Sequence, residues 1–91
     1  MEITGKIKLI RDTQEVSSSF SKREFVVESL EQYPQLIQLE LHQDKCDIVD
    51  AYNVGQEVVC RINLRGREWQ SPLGETKYFN KIVCWKIQPV Q

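Results

Sequence analysis

A chain of 91 residues is the size of one domain, and it hides only about 60% of its unfolded surface unless it closes its sheet or finds a partner. Hydrophobic residues at 41% and charged residues at 27% exclude a disordered chain, and no apolar run approaches the ~20 residues of a membrane-spanning helix. A net charge of −1 counts against broad, charge-driven contact with phosphate and shifts attention to where the cations cluster.

Met1-Glu2-Ile3-Thr4-Gly5 lacks the basic and apolar regions of a signal peptide, so a cytoplasmic protein without membrane contact is expected. Cys46, Cys60 and Cys84 show no CxxC spacing, and His42 is the sole histidine. Buried reduced thiols are expected, with no disulfide, no metal and no cofactor.

Residues 1–91 read as a single domain without linker, repeat or low-complexity segment. The first predicted strand alternates with period two, Ile3, Gly5, Ile7 and Leu9 on one face and Thr4, Lys6, Lys8 and Ile10 on the other. Gly5 within it suggests a bend or bulge. Asp12 to Ser19 is polar and serine-rich and reads as a loop. A second strand is predicted from Phe20 to Ser29 with Phe25 and Val27 inward, and Pro34 closes a turn after it. The third has Ile37, Leu39 and Leu41 inward and Gln38, Glu40 and His42 outward.

The period then changes. Cys46, Ile48, Val49, Ala51 and Tyr52 fit one short helix with Asp44 as its N-cap, ended by Asn53-Val54-Gly55. A fourth strand over Gln56–Arg67 turns Val58, Cys60, Ile62 and Leu64 inward. A hairpin containing Ser71-Pro72-Leu73-Gly74 leads to a fifth over Thr76–Gln88. Both faces of that last strand are apolar, Phe79, Val83, Trp85 and Ile87 on one and Tyr78, Ile82 and Cys84 on the other. Parity therefore leaves its interior face open. Trp85 is expected in the core or in a subunit contact, and burying one face predicts a homodimer or homotetramer.

Three strands, a short helix and two strands is the order of the OB-fold, a five-stranded Greek-key barrel of the all-β class. No enzyme constellation accompanies it: there is no phosphate loop, and the Ser17-Ser18-Ser19 run has no base nearby. The informative stretch runs from Arg61 through Arg65, Arg67 and Trp69 to Lys77 and Tyr78. A tryptophan among arginines offers a stacking surface for a base and guanidinium groups for phosphates. Lys22, Arg23 and Lys81 extend the candidate track, with Lys6 and Lys8 as further contributors.

Val54-Gly55-Gln56-Glu57-Val58, Gly66-Arg67-Glu68-Trp69 and Gly74 to Tyr78 resemble the fourth strand, hairpin and fifth strand of bacterial single-stranded DNA-binding proteins. That resemblance covers the C-terminal half and implies that Trp69 stacks on bases with Arg67 beside it. Over its whole length the chain resembles small bacterial single-domain OB-fold proteins described only as a domain of unknown function. It does so through Met1 to Gly5, Glu31 to Pro34, and Tyr78 to Asn80 with Trp85 and Ile87. Two departures imply weaker binding than in the DNA-binding family. No acidic, partner-recruiting tail precedes Gln91, and the third strand offers Leu36, Gln38, Glu40 and His42 outward instead of an aromatic.

Two functions stay open on the sequence. One is a binding protein, not an enzyme, for single-stranded DNA or RNA, DNA first, accessory to replication, recombination or repair. The other is a protein–protein interaction OB module, favoured by outward Glu24, Glu28 and Glu40.

Overall fold

The structure, a computed structural model, describes residues 1–90. The strands in chain order are β1 (Glu2–Ile10), β2 (Gln14–Ser17), β3 (Phe20–Ser29), β4 (Leu36–His42), β5 (Glu57–Gln70) and β6 (Thr76–Pro89). Among the described residues a single 3₁₀-helix, η1 (Gln43–Ala51), lies between β4 and β5. They form a six-stranded sheet in the order β1-β5-β6-β4-β3-β2, which β1 closes by pairing also with β3.

The barrel therefore runs β1-β3-β4-β6-β5 and back to β1, the OB-fold order expected from the sequence, with β2 as an added edge. β1 serves both seams. Glu2–Lys6 pairs with β5, and Gly5–Ile10 pairs with β3 across a register shift between Ile7 and Leu9. The β4–β6 contact is parallel, Glu40 opposite Val83.

Alternation explains the core. Phe25 and Val27 of β3, Leu39 and Leu41 of β4, and Val58, Cys60 and Ile62 of β5 are buried as their parity predicts. η1 plugs one end of the barrel with Cys46 and Val49. Full burial of one such side chain contributes about 1.5–3 kcal/mol. All three cysteines are free and buried. Burial pushes the Cys46 thiol up from its ordinary value, and the Asp47 carboxylate adds to the effect. The Cys60 thiol donates to Cys84, and that bond, with burial behind it, pushes Cys60 up while it lowers Cys84.

Five details depart from the sequence reading. The bulge in β1 falls at Lys8, not Gly5, and reverses the parity beyond it: Leu9 is exposed and Ile10 packs on the core. β2 occupies part of the expected Asp12–Ser19 loop; its residues are all exposed, so no apolar face announced it. Leu64 is 62% exposed because β5 leaves the barrel after Ile62. Trp85 is 42% exposed, which removes the core from its two expected places and leaves the subunit contact. Asp44 lies in the first turn of η1, and the N-cap is His42, in extended conformation without a side-chain cap.

The helix is entered instead through Gln43, whose φ of 55° is unfavourable for a non-glycine residue. Its side chain compensates by bridging to the β2–β3 turn. Oε1 accepts from the Ser21 amide at 3.1 Å, and Nε2 donates to the Ser19 carbonyl at 2.8 Å. At the far end the Tyr52 hydroxyl donates to the Ile87 carbonyl at 3.0 Å, tying the helix to β6.

Gly5 is required by a close approach. A Cβ there would stand 2.6 Å from the backbone carbonyl oxygen of Glu28, where β1 and β3 meet to close the barrel. Backbone cannot swing aside as a side chain can. Gly5→Ala is expected to lower the free energy of unfolding by about 1–3 kcal/mol, measured by urea denaturation.

Candidate nucleic-acid interface

β5 and β6 are each 14 residues long, more than the barrel needs. Their far halves pair from Leu64–Ile82 to Gln70–Thr76 and stand off the barrel as a two-stranded arm. The Cα radius of gyration, 14.7 Å, exceeds the ~12 Å of a compact chain this long, as a projecting arm requires. At its tip the Ser71 amide donates to the Glu75 carbonyl at 2.8 Å, and Gly74 takes a φ of 87° that favours glycine.

Directly opposed residues of an antiparallel pair share a face. Register thus sorts the arm completely. Arg65 faces Lys81, Arg67 faces Phe79 and Trp69 faces Lys77, all on one side. Leu64 with Ile82, Gly66 with Asn80, Glu68 with Tyr78, and Gln70 with Thr76 occupy the other.

A bulge in β6 extends the first side onto the barrel. Arg61 pairs with Lys86 but Ile62 with Cys84, so Trp85 is the extra residue. Below it Cys84 is buried; above it Ile87 is buried and Lys86 is turned out beside Arg61. The apolar character of both faces of β6, unresolved by parity, has this cause.

The resulting track carries Lys86, Arg61, Arg65, Lys81, Arg67 and Lys77, with Phe79 and Trp69 interleaved. Phe79 is 45% exposed and Trp69 42%. The Arg67 guanidinium stands 6.0 Å from the Phe79 ring centroid, and Lys77 Nζ stands 5.9 Å from that of Trp69. Both are at the outer limit of a cation–π contact, leaving the rings accessible. Among the described residues, the ion pair on the track joins Glu2 Oε2 to Arg61 Nε at 3.9 Å, at the barrel end. The acidic side chain within the arm's paired strands, Glu68, is on the opposite face and accepts from the Tyr78 hydroxyl at 3.1 Å.

Of the residues singled out from the sequence, Arg61, Arg65, Arg67, Trp69, Lys77 and Lys81 come together on this face. Tyr78 does not; it belongs to the other side of the arm. Lys22 is remote, on the outward face of β3 opposite His42. Arg23 is directed inward at the barrel end with its side chain only 13% exposed. Nε donates to the Arg11 carbonyl at 2.7 Å, and Nη1 to the Cys46 carbonyl at 3.2 Å and to Asp50 Oδ1 at 2.9 Å. It fastens η1 to the barrel. Lys6 and Lys8 lie on β1, outside the arm. Phe79 and Lys86 were missed. Setting Gln70 opposite Thr76 would have found Phe79, whereas Lys86 needs the bulge.

The outer surface of β3 and β4 has the opposite character. Glu24 and Glu40 are directly paired, like charges side by side. Gln38 Nε2 donates to Glu24 Oε2 at 2.9 Å, and Glu40 Oε1 lies 3.1 Å from His42 Nε2. That rung repels phosphate.

A family described as "Domain of unknown function (DUF3127)" matches residues 2–88. No curated protein sequence matches. Among solved structures, a crystal form of the mitochondrial single-stranded DNA-binding protein Rim1 of S. cerevisiae superposes with a TM-score of 0.71 at 14% identity, covering 100% of this chain and 93% of that one. Its selenomethionine-labelled counterpart gives 0.69 at 13% identity with the same coverage. At such identity the likeness is one of fold. No helix among the described residues is long and apolar enough to cross a membrane.

The geometry of Arg23 separates stability from the arm. Arg23→Ala strips donors from two backbone carbonyls and from Asp50, itself well exposed. The carbonyls dominate, and a loss of about 1.5–3 kcal/mol in unfolding free energy is expected by urea titration. Arm residues do not touch this cluster, so any oligonucleotide affinity should be unchanged.

Proposed function

This chain belongs to the family described as a domain of unknown function, DUF3127, and we propose that it binds single-stranded nucleic acid, DNA in the first place, along one face of its β5–β6 arm. The observation that carries the reading is segregation. In a protein of net charge −1, the arm's paired strands place their cations and two accessible aromatic rings on one face, and their carboxylate, Glu68, on the other.

Each component has a physical role. Guanidinium and ammonium groups neutralise successive phosphates of an extended strand and release its counterions. Trp69 and Phe79 offer ring faces to bases, which is tolerant of sequence because every base has a π-face. A duplex hides its bases and forgoes those contacts. The Rim1 neighbours, themselves single-stranded DNA-binding proteins, support the same assignment at the level of the fold. A cytoplasmic accessory role in replication, recombination or repair follows as the setting in which single strands are exposed.

The arm's second face supports the homodimer or homotetramer in this proposal. It holds Leu64 and Ile82, with Gly66 and Asn80, around an open depression of about 430 Å³, and Tyr78 lies farther along the same face. A lone two-stranded ribbon is marginal in water, and covering this face would stiffen it while leaving the basic face free.

The protein-interaction reading draws on the Glu24–Glu40 rung with Leu36, which is 63% exposed, on the outer β3–β4 surface. The two readings assign different surfaces and separate by mutation.

Trp69 fluorescence should be quenched by a dT homopolymer and not by the same strand in a duplex. Trp69→Ala should weaken binding by about 1–3 kcal/mol without altering the fold, because the ring supports little of the core. Arg65→Ala and Arg67→Ala should each lower the magnitude of the salt slope by about 0.7, one single-strand phosphate contact. Wild type that neither quenches nor shifts with long oligonucleotides at low salt would refute nucleic-acid binding.

A further inference from the structure

On one face of a strand, consecutive side chains stand about 6.8 Å apart, twice the rise per residue. Stacked bases repeat at about 3.4 Å. The gap between neighbouring same-face rungs of a ribbon is therefore two stacking distances, room for one planar base with a side chain on either side. On its basic face this arm holds such a gap open as a slot of about 130 Å³ lined by Arg65, Gly66, Arg67, Phe79 and Lys81.

The lining has a definite chemistry. The backbone at Gly66 contributes to its lining, while the Cβ direction of that residue leads to Asn80 on the opposite face. Phe79 supplies a half-exposed ring at one wall. The directly opposed Arg65 and Lys81 form the other, and Arg67 stands 6.0 Å from the ring, about 2 Å beyond stacking contact. No carboxylate lines it. The volume falls below the 300–1,000 Å³ of drug-sized sites, which disfavours a whole nucleoside phosphate or larger cofactor enclosed within it.

We infer that this slot is a single-base subsite. An unpaired base inserts between the Arg65–Lys81 and Arg67–Phe79 rungs and stacks on Phe79, while its flanking phosphates lie against Arg65 and Lys81. The inference rests on the nucleic-acid reading of the arm and adds to it a defined position for one base, distinct from stacking on Trp69. The insertion is non-covalent, and it makes Phe79 the residue that distinguishes a base from a bare sugar–phosphate backbone at this site.

The experiment compares a dT oligomer with an abasic oligomer of equal length, on wild type, Phe79→Leu and Phe79→Trp, with circular dichroism confirming the fold of each. Phe79→Leu keeps an apolar side chain but no ring. It should weaken dT binding about 5- to 150-fold, the loss of one base stack, leave abasic binding unchanged, and leave the salt slope unchanged. Phe79→Trp should restore dT affinity. Equal dT affinity of Phe79→Leu and wild type, with Trp69 still quenched, would remove the subsite and leave the arm's function standing. Parallel loss of dT and abasic binding would make Phe79 a support of the ribbon and also overturn the inference. Wild type that binds neither oligomer would remove the parent reading and the subsite together.

Discussion

In an antiparallel ribbon the face of every residue is set by its pairing partner, and in β6 one extra residue, Trp85, sets it for the whole strand. With the bulge, Cys84 and Ile87 both reach the core and Lys86 joins Arg61 outside. Without it, a strand following Cys84 would bring Lys86 into the barrel and turn Ile87 out. Phe79, Lys81 and Lys77 lie on the far side of the bulge, in register with Arg67, Arg65 and Trp69. Core and arm thus make different demands on one strand, and the bulge reconciles them.

The electrostatic consequence is a separation that the net charge conceals. Thirteen acids and twelve bases nearly cancel over the chain. They do not cancel locally. The Glu24–Glu40 rung occupies the outer surface of β3–β4, where barrels of this fold commonly receive oligomers, and the basic rungs occupy the arm. The rung is held in place by Gln38 and His42, so the carboxylates are fixed features of that surface. Under the proposed function, this division would guide a polyanion away from the barrel and toward the arm. Screening at physiological salt confines that guidance to about 8 Å, the scale of neighbouring rungs.

What the sequence disclosed follows from how much burial each segment carries. β3 has the predicted bounds Phe20–Ser29, and Phe25, Val27, Leu39 and Leu41 occupy the core, because half-buried strands must alternate. β2 escaped notice since neither of its faces is buried. Leu64 misled for a related reason: its parity is inward, but the barrel has ended. The bulges at Lys8 and Trp85 have no residue signature, and each reversed a parity beyond it. Arg23 was legible and misjudged. It shares parity with Phe25 and Val27, so the alternation already directs it inward, where it fastens η1. Residue type suggested a phosphate contact, and position overruled it.

The central claim is that the arm, not the barrel surface, receives the nucleic acid. Amide and indole chemical shifts of isotope-labelled protein titrated with a dT oligomer test it most directly, since every residue of both surfaces reports at once. The account predicts shifts concentrated at Arg65, Arg67, Trp69, Lys77, Phe79 and Lys81, fading toward Arg61 and Lys86, with Glu24, Gln38 and Glu40 unmoved. Shifts centred on β3 and β4 with the arm silent would contradict it.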